Sequence, residues 1–139
     1  YTNTAYSFAF SYPLGFTVSA FPEGEGDTVL VQRRTSEVEP PAGGSISQHS
    51  GFQVHISPFD EPGPLTPERI RTDIPDMVVD QAKEMEIDGV KMLSFISSRD
   101  SLGRVREIWF VEKGNLYQIT AHAEFDAGLS QILLSWRFQ

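Results

Sequence analysis

The chain has 139 residues and a mass of 15.5 kDa, enough for one domain with a proper core and too little for two. Hydrophobic residues make up 40%, charged residues 22% and the mean hydropathy is -0.24, a globular composition without an apolar run that could span a membrane. A net charge of -8 repels a nucleic-acid backbone, and the absence of cysteine removes disulfides, thiol nucleophiles and thiolate metal sites while leaving the redox compartment undetermined.

The chain opens at Tyr1 without a methionine or a signal-peptide pattern, so a trimmed or processed product is expected, with an upstream tether or leader left open. Tyr6, Phe8, Phe10 and Tyr12 alternate with small residues and predict a first strand that Pro13 to Gly15 breaks. Phe16, Val18 and Ala20 predict a second strand, Pro22 to Asp27 a turn, and Val29 to Val31 a third strand of an antiparallel meander. Residues 35–50 are rich in Ser, Gly, Pro and Glu and nearly devoid of apolar side chains; a mobile loop is expected there. The strand of Phe52, Val54 and Ile56 follows. Thr66-Pro67-Glu68 has the form of an N-cap, a first-position proline and a first-turn acid, so a helix starts there. Ile70, Ile74, Met77, Val78 and Met85 recur at helical spacing, and Pro75 divides them into two helical pieces, the longer from about Pro75 to Met85. Asp88-Gly89 is a turn, and Val90 to Ser97, Val105 to Glu112 and Leu116 to Ala123 read as three consecutive strands, joined too tightly to be parallel. Asp126 then caps a helix carrying Leu129, Ile132, Leu133 and Trp136. The class is α+β on a mainly antiparallel sheet, with all seven predicted strands in that one sheet.

Both ends of the chain resemble a known family. The opening Tyr6-Ser-Phe-Ala-Phe-Ser-Tyr-Pro-Leu-Gly-Phe16 resembles the aromatic strand, Tyr-Pro turn and Gly-Phe entry of PsbP-like domains. Gly114-Asn-Leu-Tyr-Gln-Ile-Thr-Ala-His-Ala123, followed by a capped helix and Ser135-Trp136, is similar to that family's strand of the type Gly-x-Leu-Tyr-x-Leu-x-Ala-x-Ala and its aromatic after a helical serine. The resemblance implies an α/β/α sandwich around an antiparallel sheet, the fold of the extrinsic photosystem II subunit, of bacterial lipoproteins and of a nuclear-transport factor that binds the Ran GTPase. It covers roughly the first fifteen and last thirty-five residues and rests on core and turn positions, which report fold rather than function. No motif matches the family's calcium, manganese or partner sites. The acidic loop and Trp136, where phenylalanine is commoner, depart from the pattern and set the chain outside the photosynthetic subfamily.

Motifs for the common enzyme classes are missing: there is no G-x-S-x-G elbow, P-loop, dinucleotide fingerprint, HExxH or EF-hand loop. His49 falls in the loop, where an imidazole lacks a frame. His55 alternates with Gln53 and Ser57 and belongs to a polar strand face. Asp73, Asp76, Asp80 and Glu84 recur at steps of three and four, which on a helix gives a solvated acidic face or an attraction for a divalent ion or basic partner. Asp60-Glu61, Glu23 and Glu25 fall in turns, and Ser94, Ser97 and Ser98 have no base near them in sequence.

One constellation has a predictable geometry. Gly114-Asn115 suits a two-residue type II′ hairpin, which sets Trp109 opposite Thr120 and Glu107 opposite His122 on one face, with Ile108, Phe110, Ile119 and Ala121 on the core face. Glu107, Trp109, Thr120 and His122 are the candidate binding surface, as the floor for a ligand or for a helix packed above. The expected function is a non-catalytic PsbP-like binding or assembly module of an extracytoplasmic, membrane-tethered bacterial protein. It would bind a protein or extended ligand on a sheet edge or the acidic helix face, without cofactor or nucleic acid. The alternatives are a small metal-dependent or hydrolytic enzyme using His55 or His122, and a cytoplasmic or nuclear GTPase-binding factor.

Overall fold

The computed structural model describes residues 1–34, 51–99 and 103–139. The expected loop at 35–50, with His49, lies outside the described residues. In chain order the elements are β1 (Thr2–Asn3), β2 (Phe8–Ala9), β3 (Phe16–Glu23), β4 (Gly26–Arg33), β5 (Gly51–Pro58), α1 (Pro67–Asp73), β6 (Asp80–Ile87), β7 (Val90–Arg99), β8 (Gly103–Glu112), β9 (Asn115–His122), a 3-10 turn (Ala123–Phe125), α2 (Asp126–Leu134) and β10 (Arg137–Phe138). Seven strands form one sheet in the order β3-β4-β5-β9-β8-β7-β6, with every neighbouring pair antiparallel. The expected α+β class with a mainly antiparallel sheet is what the chain adopts.

Alternation of side chains gives this sheet two unlike faces. The inner face carries Val29, Val31, Phe52, Val54, Ile56, Ile108, Phe110, Tyr117, Ile119 and Ala121, buried beneath Leu129, Ile132 and Leu133 of α2 and a layer of aromatic rings. Those rings come from both ends of the chain. Trp136 is fully buried and stacks on Phe8 at 4.6 Å and on Phe10 at 5.2 Å between centroids. The outer face is covered by α1 and its flanks over β7 and β8, where Ile70, Leu65 and Val79 pack on Leu93, Phe95 and Trp109. Helix, sheet and helix therefore form three layers.

Thr66 caps α1 by accepting from the Arg69 N–H at 3.2 Å, Pro67 opens it, and it ends at Ile74 immediately before Pro75. Three expectations are corrected. The run Tyr6 to Tyr12 is not a strand of the large sheet: Ser7 at φ 58° interrupts it, and Phe8–Ala9, extended by the backbone hydrogen bonds that Phe10 exchanges with Tyr1, joins β1 and β10 in a separate three-stranded sheet. The second helical piece from Pro75 to Met85 is strand β6 instead. Met85 and Ile87 turn toward the core while Glu84 and Glu86 turn outward, a period of two that a bulge between Asp80 and Lys83, with Gln81 at φ 52°, hides in the sequence. Asp126 does not cap α2 from outside. It stands in the first turn and its carboxylate accepts two hydrogen bonds from Arg106, at 3.1 and 3.0 Å.

Candidate functional site

The β8–β9 hairpin sets the candidate surface. Its turn is Lys113-Gly114, both at positive φ (49° and 78°), closed by Glu112 opposite Asn115. The expected Gly114-Asn115 turn is thus displaced by one residue, because Lys113 adopts a left-handed conformation that lysine seldom takes. Pairing consequently moves by two positions: Trp109 faces Gln118, Glu107 faces Thr120, and His122 faces Val105. A shift of two keeps the pleat in phase, so Glu107, Trp109, Thr120 and His122 still share the outer face.

These four residues lie deep in that face. Glu107 is fully buried beside Phe95 and accepts hydrogen bonds from Trp109 Nε1 at 2.9 Å and Thr120 Oγ1 at 2.8 Å. Trp109 meets the Phe95 ring edge-on at 5.4 Å in the cluster beneath α1. Hence the carboxylate and indole form a packed, hydrogen-bonded floor under helical cover. His122 is also buried.

The outer face changes character beyond β9. On the side of β5 and β4, where α1 does not reach, Gln53 stands beside Thr120, His55 beside Gln118, and Thr28 beside His55. Glu23, Gly24, Gln53, His55, Gln118 and Thr120 line a groove of about 350 Å³. At its β3 end a short polar chain is built: the Thr28 hydroxyl donates to the Glu23 carboxylate and lies 3.0 Å from His55 Nδ1. Since the hydroxyl has one proton and gives it to Glu23, His55 supplies Nδ1–H to this contact. Glu23 is also 3.8 Å from His55 Nδ1. A second groove of about 370 Å³, lined by Asp76, Met77, Ser97, Ser98, Trp109 and others, shares Gln118 with the first. Together they offer amides, an imidazole, two carboxylates and hydroxyls across the middle of the sheet.

The acidic series is dispersed. Asp73 ends α1 while Asp80 and Glu84 belong to β6, so no single helix presents them, and among the described residues no group of three or more His, Asp or Glu side chains is placed to hold a metal. Ser94 accepts a hydrogen bond from Arg106 Nη1 at 3.1 Å, and Ser97 is buried. On the inner side, a hollow of about 530 Å³ between α2 and the β6 edge has apolar walls from Met85, Ile87, Ile108 and Leu133 around the Arg106–Asp126 pair. Sequence reasoning saw the polar alternation of β5 and of β9 separately. What it missed was that the two strands are neighbours, which turns two polar stripes into one surface.

No family model matches the chain, and no curated protein matches it in sequence. Among solved structures, the solution structure of a cyanobacterial PsbP (CyanoP) from Synechocystis sp. PCC 6803 is similar, with a TM-score of 0.58 and 14% sequence identity over 100% of this chain and 91% of that one. The fold is PsbP-like, as the resemblance at the two chain ends implied.

Proposed function

Taking the PsbP-like fold as premise, we propose that this chain is a non-catalytic binding or assembly module of an extracytoplasmic, membrane-tethered protein. Its partner would be a protein or other extended ligand seated on the polar half of the sheet. One observation carries this reading: the outer face is covered by apolar packing over β7 and β8, whereas on β5 and β9 the half-buried polar side chains Gln53, His55 and Gln118 line a groove together with Glu23. Open polar grooves with convergent hydrogen-bonding groups suit recognition. Glu107, Trp109, Thr120 and His122 then hold the floor rigid from the covered side, and Thr120 also reaches the groove. The tether and the location outside the cytoplasm are supported only by the kinship of fold.

The histidine, threonine and carboxylate chain favours one rival, a hydrolytic site with His55 as base. A photo-crosslinking residue at Gln118, with Leu14 as an exposed control position, separates the two when the protein is incubated with the membrane fraction of its own source. A discrete adduct formed from position 118, absent from position 14 and lost on His55→Ala is the expected result. Equal labelling from both positions, or His55-dependent hydrolysis of a p-nitrophenyl ester panel, would refute the binding reading.

A further inference from the structure

The large sheet ends in two unlike edges. β6 carries Asp80, Lys83, Glu84 and Glu86 and is bent by the bulge at Asp80/Lys83, devices that discourage another strand from pairing. β3 carries no bulge, and before Glu23 at its end Pro22 is its one such device. From Phe16 to Pro22 it bears no charged side chain, and among the described residues no strand pairs with its outer side.

Backbone accounting shows what that edge offers. The Arg34 N–H donates to the Gly15 carbonyl, which makes this a hydrogen-bonded pair and sets the phase of the β3–β4 ladder. By alternation Thr17, Ser19, Phe21 and Glu23 also turn their amides toward β4, while Phe16, Val18 and Ala20 turn theirs away. Pro22, which has no N–H, falls at one of these outward positions and costs the inner ladder nothing.

We propose that this edge pairs with the same edge of a second copy of the chain, antiparallel about a two-fold axis at Ser19, giving one continuous sheet across both molecules. Val18 then stands opposite Ala20 of the second copy and Phe16 opposite Pro22, which forms about six backbone hydrogen bonds. Three features fit a second copy in particular. An interface of this kind is self-complementary, as two-fold pairing requires. The even-numbered side chains Phe16, Val18 and Ala20 stay on the inner face in both molecules, so Phe16 and Val18, already packed on the core, continue it. Charge is polarised along the strand, with Arg34 beside Gly15 at one end and Glu23 at the other. The antiparallel register brings each Glu23 opposite the other copy's Gly15, about 10 Å from the backbone of Arg34 and within reach of two long side chains. The net charge of -8 opposes association at long range, and physiological salt screens it beyond about 8 Å. The pairing also has a functional meaning: both open polar faces lie on the same side, so two grooves merge into one broad surface centred on the interface.

Sedimentation over a rising concentration series, combined with amide hydrogen exchange, tests this. The expected result is a mass moving from 15.5 kDa toward twice that value, with exchange at Phe16, Val18 and Ala20 slowed by about tenfold or more as concentration rises and exchange on β6 unchanged. Ala20 is exposed, and Ala20→Lys places two like charges near the axis; with an unaltered circular dichroism spectrum it should stay monomeric. Arg34→Glu should weaken the dimer at least fivefold, and Arg34→Glu combined with Glu23→Arg should restore it. A mass fixed at 15.5 kDa throughout, a dimer indifferent to both substitutions, or protection of the three amides that does not depend on concentration overturns the proposal.

Discussion

Thr120→Val tests the floor of the candidate site. Thr120 is 1% exposed; the substitution keeps the shape and one methyl of its side chain but removes the hydroxyl that donates at 2.8 Å to a fully buried Glu107. A hydrogen bond to a carboxylate in such surroundings is worth about 1.5–3 kcal/mol. At about 3 °C per kcal/mol for a chain of this size, the midpoint of thermal unfolding should fall by about 5–9 °C. Urea titration should show a lower midpoint with an unchanged slope, the mark of lost stability without a change in the exposed surface. In a Glu107→Gln background the same substitution should cost only about 1 kcal/mol, so the cycle yields a coupling of about 0.5–2 kcal/mol. A loss below about 0.5 kcal/mol, or strict additivity with Glu107→Gln, would show that the contact does not bear on the fold.

Two further tests address the core. Trp136 Nε1 is buried and has no hydrogen-bond partner among the described residues, so Trp136→Phe exchanges lost packing for relief of a stranded donor. Its cost in a urea titration should stay within about 1 kcal/mol, whereas Trp136→Ala should cost about 3–5; equal costs would contradict the argument. Burial, with Glu112 nearby, pushes the Tyr117 phenol up to about 12 from 10.0. The folded state then holds a proton that the unfolded state releases near pH 10, so this contribution is complete below pH 10 and lost as pH rises toward 12. Two pKa steps correspond to about 2.7 kcal/mol. Tyr117→Phe should flatten the alkaline fall in stability without abolishing it, because Tyr6, hydrogen-bonded to Asp27, is also raised to about 12; an unchanged slope counts against the assignment.

What was legible in the sequence was local. The strands at Phe16, Val29, Phe52, Val90, Val105 and Leu116 show their period of two directly, and Thr66-Pro67 announces the start of α1 because capping needs only adjacent residues. β6 was illegible because a bulge erases the period, and Met77, Val78 and Met85 imitate a helix by chance of spacing. The four residues of the candidate floor were found on one face despite a misplaced turn, since only an odd slip exchanges the faces of a strand. Which half of that face would be covered could not be read, because cover depends on where α1 lands. The pairing of β5 with β9 was equally hidden: nothing in either segment names the other.

That pairing has a consequence for how the sheet assembles. β3, β4 and β5 form one group of strands, and β6 to β9 another made of three successive hairpins; in the sheet the two are joined along the β5–β9 seam, from Phe52 beside Ala121 to Pro58 beside Asn115. Contacts between neighbours in sequence close small loops and form early, whereas this seam must bring together segments separated by half the chain. Its hydrophobic pairs, Val54 with Ile119 above all, should therefore be nearly absent from the folding transition state and give low φ-values, while Ile108 within the β8–β9 hairpin gives higher ones; the reverse order would contradict it. The polar groove straddles this same seam. The side chains that line it come into register only when the seam closes, so a chain that has not zipped there lacks the groove.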